Sequence, residues 1–518
     1  MKRKQVLDSI NSPLRIDSVE SPGGGLIGMT ICPGKKFRRG QTGDWYRDLD
    51  LDINAISQWR ADAVVTLIER HEFTLLRVPG LGEAVEAAGI QWHHLPIRDG
   101  SVPDDLFETL WVYSGHRLRS MLAAGGRVLV HCQGGLGRSG MIAARLLVEM
   151  GIKADDAIRR VRNARPGTIE TSAQEEYVRA VRRPHMQPIL TDRILGTLLG
   201  GAVGDAMGYA VEFDSWNAIR DRFGDDGIVE PMANDGEISV SDDTQMTLFT
   251  LEGLLRSKKE LAARNFDSVI ASIRRAYLDW LDTQEGGRSR HDLSGTIAAD
   301  PRLRRAMAPG TTCLSALRAG GRGTMQRPAN DSKGCGGVMR VAPIGLLASS
   351  PEDAAELAAR AAALTHGHPS GYWSAAAMAA MVRMSLDGSE PAEAARRATA
   401  IISGKKGAKE TVEMIDAALN VASAAAPNHR QAIALLGDGG WCGQDALAIG
   451  LYSALRAESF PQALSIAANH DGDSDSTASI AGQLYGASHG LADLPNQWIR
   501  RLDVLEILLG LVRKVFNF

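Results

Sequence analysis

The chain has 518 residues, 44% of them hydrophobic and 23% charged, with a formal net charge of −3. These proportions belong to a folded globular protein and exclude a disordered or fibrous one. The near-balance of charge removes the general basic excess that a nucleic-acid-coating protein needs. At about 150 residues per domain, the length predicts two to four domains.

The first residues, Met1 to Ser18, are positively charged but have no apolar run and no small-residue cleavage site, so they are not read as a secretory signal. No apolar stretch reaches the roughly 18 residues that a membrane helix needs, so no membrane partner is expected. The five cysteines, Cys32, Cys132, Cys313, Cys335 and Cys442, form no C-x-x-C pair and are odd in number. That usage suits a reducing cytoplasm and argues against a disulfide framework or a zinc ribbon.

Residues 1–183 alternate strand-like and helix-like segments. Ala63–Ile68 and Arg127–His131 are short buried-strand runs, while 137–151 and 154–164 read as helices. This predicts an α/β domain with a mainly parallel sheet. Residues 184–190, with two prolines, read as a short stiff linker. Residues 191–518 have few β-branched runs and many Ala-rich stretches, such as 352–363 and 372–384. They predict one all-α domain, large for a single core.

Strand residues 128–130 run into His131-Cys132-Gln133-Gly134-Gly135-Leu136-Gly137-Arg138-Ser139. A strand ending at a cysteine, three glycines and a following helix let backbone N–H groups converge on an anion. The amides, the helix end and Arg138 all favour negative charge on the Cys132 sulfur. Arg138 can clamp two phosphoryl oxygens, and Ser139 is placed to hydrogen-bond the sulfur.

His131–Ser139 resembles the signature of cysteine-dependent, dual-specificity protein phosphatases, most closely the cyclin-dependent-kinase-associated type. Residues 93–104, 162–171 and Gln174 extend the resemblance across about residues 25–182. It implies that Asp99 protonates the leaving oxygen and later activates water, with Asp104 or Asp105 as substitutes. Plain turn chemistry at Asp99-Gly100 is the structural alternative. It also implies that His131 orients the loop and that Gly134, Gly135 and Gly137 shape the phosphate cradle. A phosphorylated protein or a small phosphate ester is the implied substrate.

Farther along, Ser241-Asp242-Asp243-Thr244 precedes a helical run, as does Asp471-Gly472-Asp473-Ser474-Asp475-Ser476-Thr477. Carboxylates and hydroxyls are hard ligands that suit Mg²⁺, Mn²⁺ or Ca²⁺. Two such clusters meeting in space can hold two ions about 3.5–4 Å apart. Each is also a good helix cap. An EF-hand is excluded, since Ser476 and Gly482 stand where Gly and Glu are needed. Gly404-Lys405 lacks the rest of an NTPase phosphate loop.

With Gly200–Phe213, Ser332–Arg340 and Asn469–Thr477, these clusters resemble the ADP-ribosylglycohydrolases over about residues 190–515. The resemblance implies an all-α fold with two Mg²⁺ ions (Mn²⁺ as the alternative) held by Ser241, Asp242, Asp243, Asp473, Asp475 and Ser476. It implies Glu212 on a mobile segment near the metals and Asp243 as proton acceptor. Gly334, Gly336 and Gly337 would offer amides to a diphosphate, or serve helix packing. Asp471 departs from the usual glycine. His366 and His368 either line the cleft or cap helix ends. Arg340 is either a structural ion pair or part of the site. Trp441 is read as a core tryptophan, with adenine stacking as the alternative.

The expected partner is an ADP-ribosylated protein, arginine-linked by preference, or a related ADP-ribosyl conjugate. Nucleic acid enters only as an ADP-ribosylated end. The combined expectation is a cytoplasmic bifunctional hydrolase.

Overall fold

The structure is a computed structural model that describes residues 6–40, 43–184, 188–285, 293–424, 428–491 and 493–516. The chain divides into two units, residues 1–186 and 187–518.

The first unit is built on a five-stranded sheet. In chain order the strands of the unit are β1 (Val6–Leu7), β2 (Asp17–Glu20), β3 (Leu26–Thr30), β4 (Lys36–Gly40), β5 (Gly43–Tyr46), β6 (Ala63–Thr66), β7 (Gln91–His94) and β8 (Arg127–His131). The main sheet runs β2-β3-β8-β6-β7, and β1-β5-β4 form a small second sheet. β8 lies parallel between β3 and β6, with Thr30 and Thr66 both beside His131, while β2 closes one edge antiparallel. The three central strands are apolar and buried on both faces, as parallel strands covered by helices must be. Val65 and Val130 point into one core with Met141 and Ile142 of helix Gly137–Glu149. Val64 and Leu129 point into the other, with Ile56, Leu81 and Val85. The sequence run 63–68 is thus strand only to Thr66; Leu67 and Ile68 continue into the loop.

Of the expected linker, residues 185–187 lie outside the described residues. Pro188 already opens helix Pro188–Tyr209, where its missing N–H costs nothing and its fixed φ suits the first turn.

The described residues from Pro188 onward are helical, with isolated bridges but no strand. Helix Pro188–Tyr209 lies against helix Ser474–His489 along a glycine seam. A methyl on Gly204 would meet the Ala478 carbonyl oxygen at 2.1 Å, and one on Gly208 would meet that of Ser474 at 2.1 Å. Gly200 and Gly196 touch Gly482 and Gly486 in the same way. Positions four apart share a helix face, so the seam brings the two backbones together along their length. It carries the start of one helix to the end of the other. Helix Asp242–Arg256 packs nearby and is buried over nearly its whole length. No helix among the described residues is long and apolar enough to cross a membrane.

Candidate active sites

β8 delivers Cys132 to the end of the sheet, 4% exposed. The chain then turns through the glycines, and the Gly135 amide donates to Cys132 Sγ at 3.2 Å. Gly135 has φ +70°, and a methyl there would meet the Thr30 carbonyl oxygen at 2.3 Å, so both conformation and space require glycine. Gly137 is closed in by Glu170 and Gln174, while Gly134 is open. His131, buried in the sheet, shares a hydrogen bond of 2.7 Å between Nε2 and Thr66 Oγ1, which also accepts from Trp92 Nε1. Burial pulls the imidazole down to about 3, so it stays neutral and ties the loop to β6.

Arg138 is 1% exposed. Its two terminal nitrogens grip Glu72 at 2.6 and 2.9 Å, and Nη1 also donates to the Ile97 carbonyl at 3.0 Å. Its Nη2 lies 2.9 Å from Asp99 Oδ1. Asp99 therefore faces the arginine of the loop from a solvent-exposed position. Asp104 does not: its Oδ1 caps helix Asp105–Ala123 by accepting from the Phe107 amide at 2.8 Å. Ser139 is fully buried, and its hydroxyl has no protein partner among the described residues. Glu72 was not singled out from sequence.

In the second unit, two distant segments converge. Ser476 Oγ donates to Asp243 Oδ2 at 2.8 Å across 233 residues of chain. Ser241 caps helix Asp242–Arg256, its Oγ accepting from the Asp243 amide at 3.2 Å. Beneath it Asp205, on the 188–209 helix, accepts from the Ser241 amide at 3.0 Å and the Thr244 amide at 2.9 Å. Asp473 and Asp475 sit at the start of the 474–489 helix. Their carboxylate oxygens and one of Glu212 all lie within 4.8 Å of one another. Cys335 Sγ donates to Asp473 Oδ2 at 2.7 Å.

Among the described residues, no lysine or arginine pairs within 4 Å with Asp205, Asp242, Asp243, Asp473, Asp475 or Glu212, and Glu212 Oε2 is buried without a hydrogen-bond partner. Burial first, and the Asp475 charge second, push Asp205 up to about 7 and Glu212 up to about 9. The same two causes hold Asp242, Asp243 and Asp473 well above the usual carboxylate range. A buried group of carboxylates with no paired cation among the described residues, Arg340 acting on Asp242 only from beyond pairing distance, and rimmed by hydroxyls, fits one or more hard divalent ions.

The chain matches the ADP-ribosylglycohydrolase family over residues 186–517 and the cyclin-dependent kinase inhibitor 3 family over residues 10–158. ADP-ribosyl-[dinitrogen reductase] glycohydrolase of Rhodospirillum rubrum is 27% identical over 332 residues, 61% of this chain and 92% of that protein. Cyclin-dependent kinase inhibitor 3 of Rattus norvegicus is 33% identical over 160 residues, 30% of this chain and 72% of that protein. A crystal structure of kinase associated phosphatase, with its catalytic-site cysteine replaced by serine, is 29% identical. It covers 32% of this chain and 93% of its own, with a TM-score of 0.29. The chain is an ADP-ribosylglycohydrolase family member that carries an N-terminal cyclin-dependent kinase inhibitor 3 domain.

The remaining sequence candidates divide within the glycohydrolase domain. Gly334 and Cys335 already spend their amides on Ser332 Oγ (3.3 Å) and the Trp441 carbonyl (3.2 Å). Gly336 and Gly337 are buried, packed against His366 and the Gly371 carbonyl. His366 is 1% exposed, bonded through Nδ1 to Thr365 Oγ1 at 2.9 Å, and backs the glycine segment. His368 instead caps helix Pro369–Leu386.

Arg340 pairs with no carboxylate among the described residues. It lies 4.4 Å over the Tyr277 ring and donates to Thr365 Oγ1 at 2.7 Å. Asp471 accepts from the Trp216 amide at 2.8 Å, at the start of helix Trp216–Phe223 that Ser215 caps, with Arg430 at 3.5 Å. Trp441 is not a core residue. It is 40% exposed and stacks at 5.4 Å on Phe213, the exposed neighbour of Glu212, because its ring leaves the helical core at a loop.

Proposed function

We propose that the chain is a bifunctional hydrolase: its glycohydrolase domain removes ADP-ribose from modified side chains, arginine linkages by preference, and its N-terminal domain hydrolyses phosphate monoesters. The observation that carries the first activity is the Ser476–Asp243 hydrogen bond, which closes two acidic segments into one buried anionic site.

Ser241, Asp242, Asp243, Asp473, Asp475 and Ser476 would hold two Mg²⁺ ions, with Mn²⁺ as substitute. When bound, such ions supply Lewis acidity and lower the pKa of a bound water. Asp243 takes the proton of the attacking water. The water oxygen bonds to the anomeric carbon as the bond from that carbon to the acceptor nitrogen or oxygen breaks, Asp243 passes its proton to the departing atom, and the carboxylates around the carbon stabilise the positive charge that develops there. Glu212, carried on the turn after the 188–209 helix, closes over the ribose. The products are ADP-ribose and the unmodified side chain.

In the N-terminal domain the Cys132 thiolate attacks phosphorus while Arg138 holds two of its oxygens. The P–O bond breaks as Asp99 gives its proton to the leaving oxygen. Incoming phosphate takes the place of the Asp99 carboxylate on Arg138 and frees that carboxyl for the leaving group. In the second step Asp99 accepts a proton from water, water attacks phosphorus, and the S–P bond breaks with Ser139 donating to the departing thiolate.

The test measures release of ADP-ribose from arginine- and serine-linked ADP-ribosyl peptides with Mg²⁺ or with EDTA, alongside turnover of p-nitrophenyl phosphate. ADP-ribose release is expected to need Mg²⁺ and to vanish in Asp242→Ala. Turnover of the phosphate ester is expected to vanish in Cys132→Ser alone. Release that persists in EDTA overturns the metal-dependent reading. Tight binding of ADP-ribose without release reduces the domain to a binding module.

A further inference from the structure

We propose that the glycohydrolase domain holds a second ligand site, a groove along helix Pro351–Ala363 that takes a nucleoside 5′-phosphate. Arg274 and Arg322 receive the phosphate, Glu356 the ribose and Trp373 the base. None of these residues takes part in the hydrolytic reading above, so the site stands or falls apart from it.

Two cavities, of about 680 and 620 Å³, follow one another along this helix and share Met325 and Glu356 as their common border. Ala355 and Ala359 floor the first, which Trp373, Met384 and Ile401 wall. Arg360 and Leu364 floor the second, beside Arg274 and Arg322. Each has the volume of a small-molecule site, and neither is lined by a residue of the carboxylate cluster.

The second cavity is built around two arginines. Helix Thr311–Arg318 ends in two left-handed glycines, Gly320 (φ +98°) and Gly321 (φ +58°), whose amides return to the Leu317 and Ala316 carbonyls at 2.8 Å. A methyl on Gly323 would meet the Ala363 carbonyl oxygen at 2.3 Å, so the loop presses on the end of helix Pro351–Ala363 and fixes the backbone of Arg322. Arg274 comes from helix Phe266–Gln284 and donates from Nε to the Gly320 carbonyl at 2.6 Å. A carbon added to Gly320 would lie 3.5 Å from Arg322 Nε and 3.7 Å from Arg274 Nη2, so the two guanidiniums flank one point.

Their neighbours are answered: Arg275 by Asp279 at 3.4 Å, and Arg360 by Asp267 and, at 3.6 Å, by Glu356. Among the described residues, neither Arg274 nor Arg322 pairs with a carboxylate within 4 Å; the charges acting on Arg274 are Arg322 and Arg275. Burial first, and those charges second, pull Arg274 below its ordinary value. A phosphate dianion answers such a pair, since two planar forks can grip its oxygens at once.

In the first cavity the Trp373 ring is fixed, its Nε1 donating to the Lys406 carbonyl at 3.0 Å. A flat base stacks on an indole held in this way. Glu356 stands between the two cavities, 57% exposed, and among the described residues pairs only with Arg360. A carboxylate there accepts from ribose hydroxyls, as acidic residues do in dinucleotide sites. Aromatic ring, hydroxyls and anion thus come in the order of a nucleoside 5′-phosphate. An acidic peptide would match only the arginine end.

The experiment titrates AMP, GMP, CMP and UMP, by calorimetry in EDTA, into the full chain with Cys132→Ser, which cannot turn over phosphate esters. At least one nucleotide is expected to bind. Its affinity is expected to fall about tenfold or more when Arg274→Gln and Arg322→Glu are combined. Arg322→Glu alone, at an exposed position, is expected to show a several-fold loss even if the double variant folds poorly. The parent nucleoside and ribose 5-phosphate are each expected to bind about tenfold more weakly than the nucleotide or worse. Asp242→Ala is expected to leave binding unchanged.

No binding of any of the four overturns the site. So does binding wholly unaffected by the arginine changes, which places the phosphate at the Cys132 loop, and so does binding abolished by Asp242→Ala, which places it at the carboxylate cluster. Ribose 5-phosphate that binds as tightly as the nucleotide removes the base from the groove. Capture of a peptide rich in Asp and Leu in preference to every nucleotide replaces the proposed ligand with a protein partner.

Discussion

Glu72 is the buried carboxylate that answers Arg138, whose other acidic partner, Asp99, is solvent-exposed. The Arg138 and Glu72 side chains are 1% and 3% exposed and meet through two bonds, the geometry that fixes a guanidinium plane. Glu72 also holds its own helix, accepting from the Glu69 amide at 2.8 Å. Replacing it by glutamine keeps the shape and removes the charge, leaving the arginine free to rotate away from phosphate. We expect Glu72→Gln to lower kcat/KM for p-nitrophenyl phosphate by about one to two orders of magnitude, as small misplacements of a positioned group do. An unchanged kcat/KM would show that Arg138 is held by the Ile97 carbonyl and the loop alone.

What could be read at this scale was chemistry packed into a local motif. Cys132, Arg138 and Ser139 stand within eight residues, and Asp242–Asp243 and Asp473–Asp475 announce themselves by composition. Glu72 could not be read, because its partner lies 66 residues away and its local signal is an ordinary helix start. Asp205 was hidden for the same reason, its carboxylate serving the end of a different helix. Trp441 was misread because an aromatic residue in a helical domain is most often core, and nothing near it in sequence names Phe213.

Among elements, the glycine seam does most to position the metal-binding candidates. Helical periodicity gave 154–164 to the residue and placed 352–363 and 372–384 within helices Pro351–Ala363 and Pro369–Leu386. It could not show which helices touch. The spacing Gly196, Gly200, Gly204, Gly208 becomes a contact surface only when matched with 474, 478, 482 and 486. A methyl at Gly208 would lie 2.1 Å from the Ser474 oxygen and 2.5 Å from the Asp475 Cα, both backbone atoms that cannot rotate aside. Gly208→Ala is expected to cost about 1–3 kcal/mol or more and to weaken Mg²⁺ binding, read by calorimetry. Gly510→Ala, in helix Leu505–Phe516 with nothing within 4 Å of the added carbon, is expected to stabilise by up to about 1 kcal/mol. Equal effects at both sites would deny the seam its role.

The Phe213–Trp441 stack works at the same scale. Phe213 has φ +68°, a conformation that costs a bulky residue, and its ring contact with Trp441 holds the turn that carries Glu212. Trp441→Ala is expected to slow ADP-ribose release several-fold. Release at the unaltered rate would detach the stack from the site.

For the whole molecule, the two domains should answer pH differently once metal is removed. In the N-terminal domain His131 is held neutral down to about 3 by burial, so the unfolded chain, with an ordinary histidine, binds the extra proton below about 6.5. Its contribution is complete above that value and is lost on acidification toward pH 3. In the glycohydrolase domain His366, held down to about 3, and His470, held down to about 4, act with the same sign and also stop contributing to the slope above about 6.5.

The carboxylates there have the opposite sign. Asp205 and Glu212 are raised to about 7 and about 9, so between about 4 and those values the folded domain holds more protons than the unfolded one. Its stability therefore falls as pH rises. From pH 6.5 to 9 these histidines are silent and the carboxylates remain. A difference of one bound proton is about 1.4 kcal/mol per pH unit, about 2–4 °C in Tm for a domain of this size. Calorimetry in EDTA is thus expected to show the glycohydrolase transition moving down by several degrees over that range, while the N-terminal transition stays level to about pH 8 and then rises, because burial pulls Lys35 down to about 8 and the folded domain gives up that proton before the unfolded chain does. Added Mg²⁺ should cancel the fall, since it binds the deprotonated carboxylates and releases their protons. A glycohydrolase transition that is flat with pH in EDTA would mean that the cluster is neutralised by something other than protons or metal.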